Sequence, residues 1–159
     1  MNATIKFNKC FESLYYEEDL YKSIETVSEE NLKQLKEYSK ILLPDLLLDI
    51  LNEGVRFGFE ITDTDVIVQF WSIHDILATD DNFSDFKKDV EQGIIFGTDL
   101  GDSIYYYGMG KGGLGLYIVG GGVGNYYQEA FKFAETFTEF FIEGKGVDLL
   151  DQWANGIIF

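Results

Sequence analysis

Positive charge is what this chain has least of relative to its opposite. Twelve Lys and Arg stand against 28 Asp and Glu, a net charge of −16. A field of that sign repels nucleic acid and anionic membrane and attracts basic proteins. A single cysteine, Cys10, excludes an intrachain disulfide. A single histidine, His74, leaves too few nitrogen and sulfur ligands for a zinc site. One proline and no long polar tract leave no room for a linker. Apolar runs such as "ILLPDLLLDIL" are too short and too charged to span a bilayer. The first residues, "MNATIKFNKCFESL", lack the basic-then-apolar order of a signal peptide. The expectation is a soluble protein in a reducing, cytoplasmic setting.

What is present suits one globular domain over residues 1–159. Apolar residues make up 46 % of the chain, within the globular norm. A chain of this length buries about 70 % of the surface that its unfolded form exposes, enough for a core without staples. Fourteen Phe and ten Tyr supply much of that core from few positions.

The first third has helical spacing. "FESLYYEEDLYKSIETV" places its apolar residues three and four apart. Ser28 suits a helix N-cap, followed by Glu29 and Glu30 at the positive end of the dipole. Pro44 suits a first helical position and Gly54 a C-terminal cap, with a short buried helix between them. The period then changes to two. "VRFGFEI", "VIVQFWSI", "IIFGTD", "SIYYYG" and "LGLYIVGGG" are strand candidates. Between the second and third, "HDILATDDNFSDFKKDVEQ" suggests a short helical turn and then a polar loop. "YYQEAFKFAETFTEFFIEG" suggests an amphipathic helix, with Phe133, Phe137, Phe140 and Phe141 on its core stripe. The apolar tail suggests a segment packed back on the domain. Together these predict an α+β fold. A mostly antiparallel sheet of about five or six strands packs against N-terminal helices and one C-terminal helix.

Several motifs suggest chemistry, and each has a plainer explanation. "GMGKGG", Gly108–Gly113, fits G-x-G-x-x-G, but the fingerprint needs a helix after it and a strand candidate follows. "GTDLGDS" offers Asp99 and Asp102 to a hard cation. It lacks the order of a calcium loop and suits a hairpin turn in which Gly101 takes a positive φ. "SIHD" sets Ser72 and Asp75 beside His74, but no nucleophile elbow accompanies them. His74 is better placed as a structural residue at a strand end. Cys10 has no nearby base to activate it. No catalytic residue, metal or cofactor is assigned. The clearest functional signal is charge. From Glu60 to Glu91 nine acids face two lysines, a net of −7. Asp63, Asp65, Asp80, Asp81 and Asp85 of this stretch are the candidate contacts for a basic partner.

Taken in order, "LLPDLLLDILNEG", "WSIHDI", "IIFGTDLGDSIYYYG" and "FAETFTEFF" resemble the SUKH superfamily. That group is related to the yeast regulator of cell-wall assembly and is common among bacterial immunity proteins. The resemblance rests on Pro44 to Gly54, on the strand turn Gly97, Asp99, Gly101 and Asp102, and on Phe137 and Phe140. It covers about residues 29–144. The glycine run at Gly120, Gly121, Gly122 and Gly124 departs from the pattern. The resemblance implies a single non-catalytic α+β domain that neutralises a polymorphic toxin by direct contact. A monomer or weak homodimer is expected. An acidic inhibitor of a basic, nuclease-like toxin is the expectation, with no nucleic acid and no membrane as partner. A general interaction scaffold is the alternative. A third reading, an enzyme using Asp99, Asp102 and His74, is kept for comparison.

Overall fold

The computed structural model describes residues 5–13, 27–52, 58–122 and 124–157. Its frame is an antiparallel meander of seven strands in which each strand pairs with its sequence neighbours. These are β1 (Phe11–Ser13), β2 (Gly58–Ile61), β3 (Ile67–Phe70), β4 (Gly93–Thr98), β5 (Ser103–Gly110), β6 (Gly113–Gly120) and β7 (Phe131–Ala134). The helices are α1 (Glu29–Ser39), α2 (Asp45–Asn52), α3 (Ile73–Leu77), α4 (Thr79–Asn82), α5 (Phe86–Asp89), α6 (Tyr126–Glu129) and α7 (Val147–Ala154). A π-helical turn, Thr138–Ile142, precedes α7. The α+β class with an antiparallel sheet is the one expected. No helix among the described residues is long and apolar enough to cross a membrane.

The sheet has more strands than expected because parts of two segments with helical spacing are extended. Phe11 lies on β1, paired with Ile61. Residues 14–26 of that predicted helix lie outside the described residues. The predicted helix over "YYQEAFKFAETFTEFFIEG" is divided into α6, β7 and the π turn. The middle of it is claimed by β6, whose free edge takes Phe131 and Ala134 opposite Ile118 and Leu116. Ladder pairing outweighs local helical spacing here, because propensity is the weaker term. All four phenylalanines of the expected stripe are nevertheless core residues.

Strand alternation fixes two cores, one on each face of the sheet. The first takes Phe59, Val68, Phe70, Phe96, Tyr105, Leu116 and Phe133, and is roofed by Leu35 of α1, Leu47 of α2, Ile76 of α3 and Leu150 of α7. Phe141 sits within it, with ring centroids 4.8 Å from Phe140, 5.1 Å from Phe70 and 5.3 Å from Phe11. In an α-helix adjacent residues point about 100° apart; here the π turn buries Phe140 and Phe141 side by side. The backbone N–H of Asn8 donates to the Phe141 carbonyl at 2.7 Å, tying the N-terminal segment to that turn.

The second core is smaller. It holds Ile95, Ile104, Tyr106, Tyr117 and Val119 from the sheet, with Phe86 and Val90 above them and Tyr126 of α6 alongside. Tyr106 and Tyr117 stack at 4.8 Å with their planes 6° apart. The stretch expected as a turn and a polar loop, His74–Gln92, forms three short helices, of which α3 packs on the first core while α4, α5 and the residues beside them cover the second. Ser72 caps α3 with a full capping box, its hydroxyl accepting from the Asp75 N–H at 3.2 Å. Phe86 is fully buried, which a polar loop would not allow.

Pro44 stands just before α2, its carbonyl accepting from Leu48 N–H at 3.1 Å, one position ahead of the place expected. Gly54 lies outside the described residues. Gly97 sits at a bulge in β4 where β3 crosses closely. A β-carbon there would fall within contact distance of the Gln69 carbonyl oxygen, which is backbone and cannot step aside. Gly124, by contrast, has open space around its α-carbon and no positive φ. Gly97→Ala should therefore cost about 2–4 kcal/mol, and Gly124→Ala should change stability by less than about 1 kcal/mol in either direction. Urea unfolding of the two variants checks this.

Candidate functional site

Register places three connections at one end of the sheet. Gln69 pairs with Thr98, and Ser103 pairs with Gly120. The β2–β3 turn, the β4–β5 turn and the exit of β6 therefore share that end. It carries Asp63, Asp65, Asp99 and Asp102. Asp63 and Asp65 are exposed, and Asp63 takes a left-handed φ of 62°. Asp99 does structural work: its carboxylate accepts from Gly101 N–H at 2.8 Å and Ser103 N–H at 3.1 Å. The carbonyl of Asp102 accepts from Gly121 N–H. The turn reading of this motif is correct, with one change. The left-handed residue is Leu100, at φ 64°, and not Gly101. The Asp99 carboxylate grips the chain on the far side of Leu100 and so holds it there.

The remaining acids of the predicted contact set lie on other elements. Asp80 and Asp81 are on α4 and Asp85 precedes α5, all three exposed. Asp85 pairs with Lys88 at 3.3 Å, both side chains open to solvent. Such a pair adds little stability. Burial raises the pKa of Tyr38, and the nearby Asp80 adds to that rise. Lys87 donates to the carbonyls of Glu91 (2.6 Å) and Gly93 (2.8 Å) and lies 4.6 Å above the Tyr38 ring. Burial, helped by nearby Lys40, lowers its pKa to about 8 against the attraction of Asp80 and Glu91.

The other candidates resolve into structure. Gly108–Gly113 spans the end of β5, a two-residue turn and the start of β6, so no helix N-terminus faces a phosphate there. Ser72 and Asp75 bond to one another, the hydroxyl donating to the Asp75 carboxylate at 2.9 Å. His74 lies exposed in the first turn of α3 rather than at a strand end. Cys10 is half-buried, and burial pushes its thiol pKa up, away from the thiolate. Among the described residues no group of three or more His, Cys, Asp or Glu is placed to hold a metal ion.

What sequence spacing did not signal is a cleft of about 290 Å³ beside the acidic end. Register explains its position. Gly58, Gln69, Thr98 and Ile104 form one row across β2 to β5 on the second face. Ile104 is covered by the second core, and Gly58 has no side chain to cover Gln69. The gap is walled by Trp71 and Phe83, whose rings lie 5.7 Å apart, and by Asp75, Thr79 and Asn82. Leu100 stands at its mouth, 52 % exposed. Gln69 is only 5 % exposed. Its Nε2 makes a long contact of 3.5 Å with the Phe70 carbonyl, and its Oε1 receives no donor among the described residues. One polar residue inside an apolar strand, "VIVQFW", is the only trace of this in the sequence.

No protein-family model matches the chain, and no curated protein matches it.

Titration separates two sets of buried groups. The native pKa of Lys87 lies below the ordinary 10.5, so between about pH 8 and 10.5 the unfolded chain holds more protons. Wild type should therefore gain stability relative to Lys87→Met over that window. Burial raises Tyr105 and Tyr106 far above the ordinary 10. Above pH 10 the unfolded chain loses those protons first, and stability falls. Absorbance at 295 nm should show their phenolates only as near-UV circular dichroism is lost.

Proposed function

We propose that this protein is a non-catalytic binding protein of the immunity type, which neutralises a basic, nuclease-like toxin by direct contact in the cytoplasm. The observation that carries the reading is the net charge of −16 together with the exposure of Asp63, Asp65, Asp80, Asp81 and Asp85. Exposed charge of one sign accelerates encounter with an oppositely charged partner and rejects partners of like charge. The α+β architecture agrees with the resemblance to the SUKH superfamily. The hairpin turn formed by Asp99 fits the structural part that the resemblance gives to that motif. Ser72 and Asp75, the pair a triad would need, are engaged in a helix cap.

Coexpression with the product of the neighbouring gene tests the reading. Protection of the cell and a complex stable at moderate salt are expected. Absence of both overturns it. A general interaction scaffold predicts several weak partners and no protection. Changing the five aspartates to Asn should slow association with the toxin about 10–100-fold and flatten its salt dependence, with unfolding changed by less than about 0.5 kcal/mol per site. Stopped-flow association at several ionic strengths checks this.

A further inference from the structure

The cleft between α4 and strands β3 and β4 has features that the hairpin and the exposed acids do not share. Its volume of about 290 Å³ lies at the lower limit of small-molecule sites, which run from about 300 to 1,000 Å³. A nucleotide or a cofactor is too large for it. One side chain with a polar head is the right size. Asp75 brings negative charge to the wall, and among the described residues no Lys or Arg lines it. Asp80 and Asp81 sit on α4 between the lining residues Thr79 and Asn82. An anion is therefore disfavoured.

Gln69 sets the chemistry. The Phe70 carbonyl can only accept, so the amide turns its NH₂ that way and leaves Oε1 as the group in need of a donor. A buried acceptor without a donor destabilises the fold by about 1–3 kcal/mol, and native proteins retain few such groups. Trp71 offers an indole beside it. A guanidinium brings planar N–H donors and stacks on an aromatic face, whereas an ammonium is a compact charge that holds its water more strongly. Leu100 adds a second irregularity at the same place. A leucine in the left-handed region is uncommon and costs of order 1–3 kcal/mol. Two carboxylate hydrogen bonds from Asp99 maintain it at the mouth.

We propose that this cleft receives an arginine side chain of the basic partner, with its guanidinium against Trp71, donating to Gln69 Oε1, and its stem under Leu100. This rests on the reading of the protein as a binder of a basic protein and gives that contact its anchor. Interfaces are carried by a few such anchors in desolvated pockets, with Arg among the commonest. The exposed aspartates then serve encounter, and the cleft serves retention.

The test is a titration of ¹⁵N-labelled full-length protein with N-acetyl-L-arginine amide. N-acetyl-L-lysine amide and N-acetyl-L-citrulline amide serve as controls. Saturable shifts of the Gln69 side-chain amide and the Trp71 indole N–H are expected. The Kd should be about 1–10 mM for the arginine probe, the range in which one isolated side chain binds. Lysine and citrulline should each bind at least about threefold more weakly, since one lacks the planar fork and the other the charge. Gln69→Leu should weaken the arginine probe about tenfold and leave the melting temperature equal or higher, because it removes an unpartnered polar group. Leu100→Gly, which puts a residue at ease in the left-handed region, should also fold and also weaken binding. Absent or unsaturable shifts, equal binding of the three probes, or wild-type affinity in both variants overturns the proposal. The protection assay with the neighbouring gene product is decided without these probes, so failure of either reading leaves the other readable.

Discussion

A sheet buried on both faces is the constraint from which the rest of this structure follows. β5 sends Tyr105 and Tyr107 to one side and Tyr106 to the other, and all three are buried. An antiparallel sheet with one wet face needs a single layer of helices. This one needs two. The long helices before β2 go to the larger core. The smaller core is left to segments of four residues between β3 and β4 and between β6 and β7. Short pieces cover unevenly. The cleft over Gln69 opens where that cover ends.

The class of the fold was legible because strand alternation is a strong signal when aromatic and β-branched residues carry it. β4, β5 and β6 were all recognisable, as was the hairpin turn from Asp99 to Asp102. The segment from Tyr126 to Ile142 was not. Its phenylalanines recur at helical intervals, yet Phe131 and Phe133 also alternate, and period alone does not choose between them. The unpaired edge of β6 chose. The three small helices over the second face were hidden for a related reason. Four-residue turns carry too few apolar positions to show a period, and Phe86 and Val90 stand among many charges.

The candidate contacts were legible as charge but not as arrangement. Aspartates close in sequence, Asp63, Asp65, Asp80, Asp81 and Asp85, are distributed over a hairpin turn, a helix and a loop. Asp99 and Asp102 are far from Asp63 in sequence, and strand register brings them to the same end of the sheet. Gln69 left only the trace of one polar residue in an apolar strand, and Leu100 left none. The significance of one is an acceptor without a donor among the described residues, and of the other a backbone angle, and residue type specifies neither.

The meander has a kinetic consequence. Every pairing from β2 to β7 joins neighbours along the chain, and the β4–β5 and β5–β6 hairpins close over four and two residues. Local pairings of this kind pay little loop entropy and form early. β1 is the exception: 44 residues separate its end from the start of β2, its partner. Its docking, together with the clasp between Asn8 and the π turn, belongs to the last stage of folding and the first of unfolding. Amide hydrogens of β5 should thus exchange through global opening, and those of β1 through a smaller, separate one. The larger aromatic core is then sealed from the N-terminal side by its least secure strand.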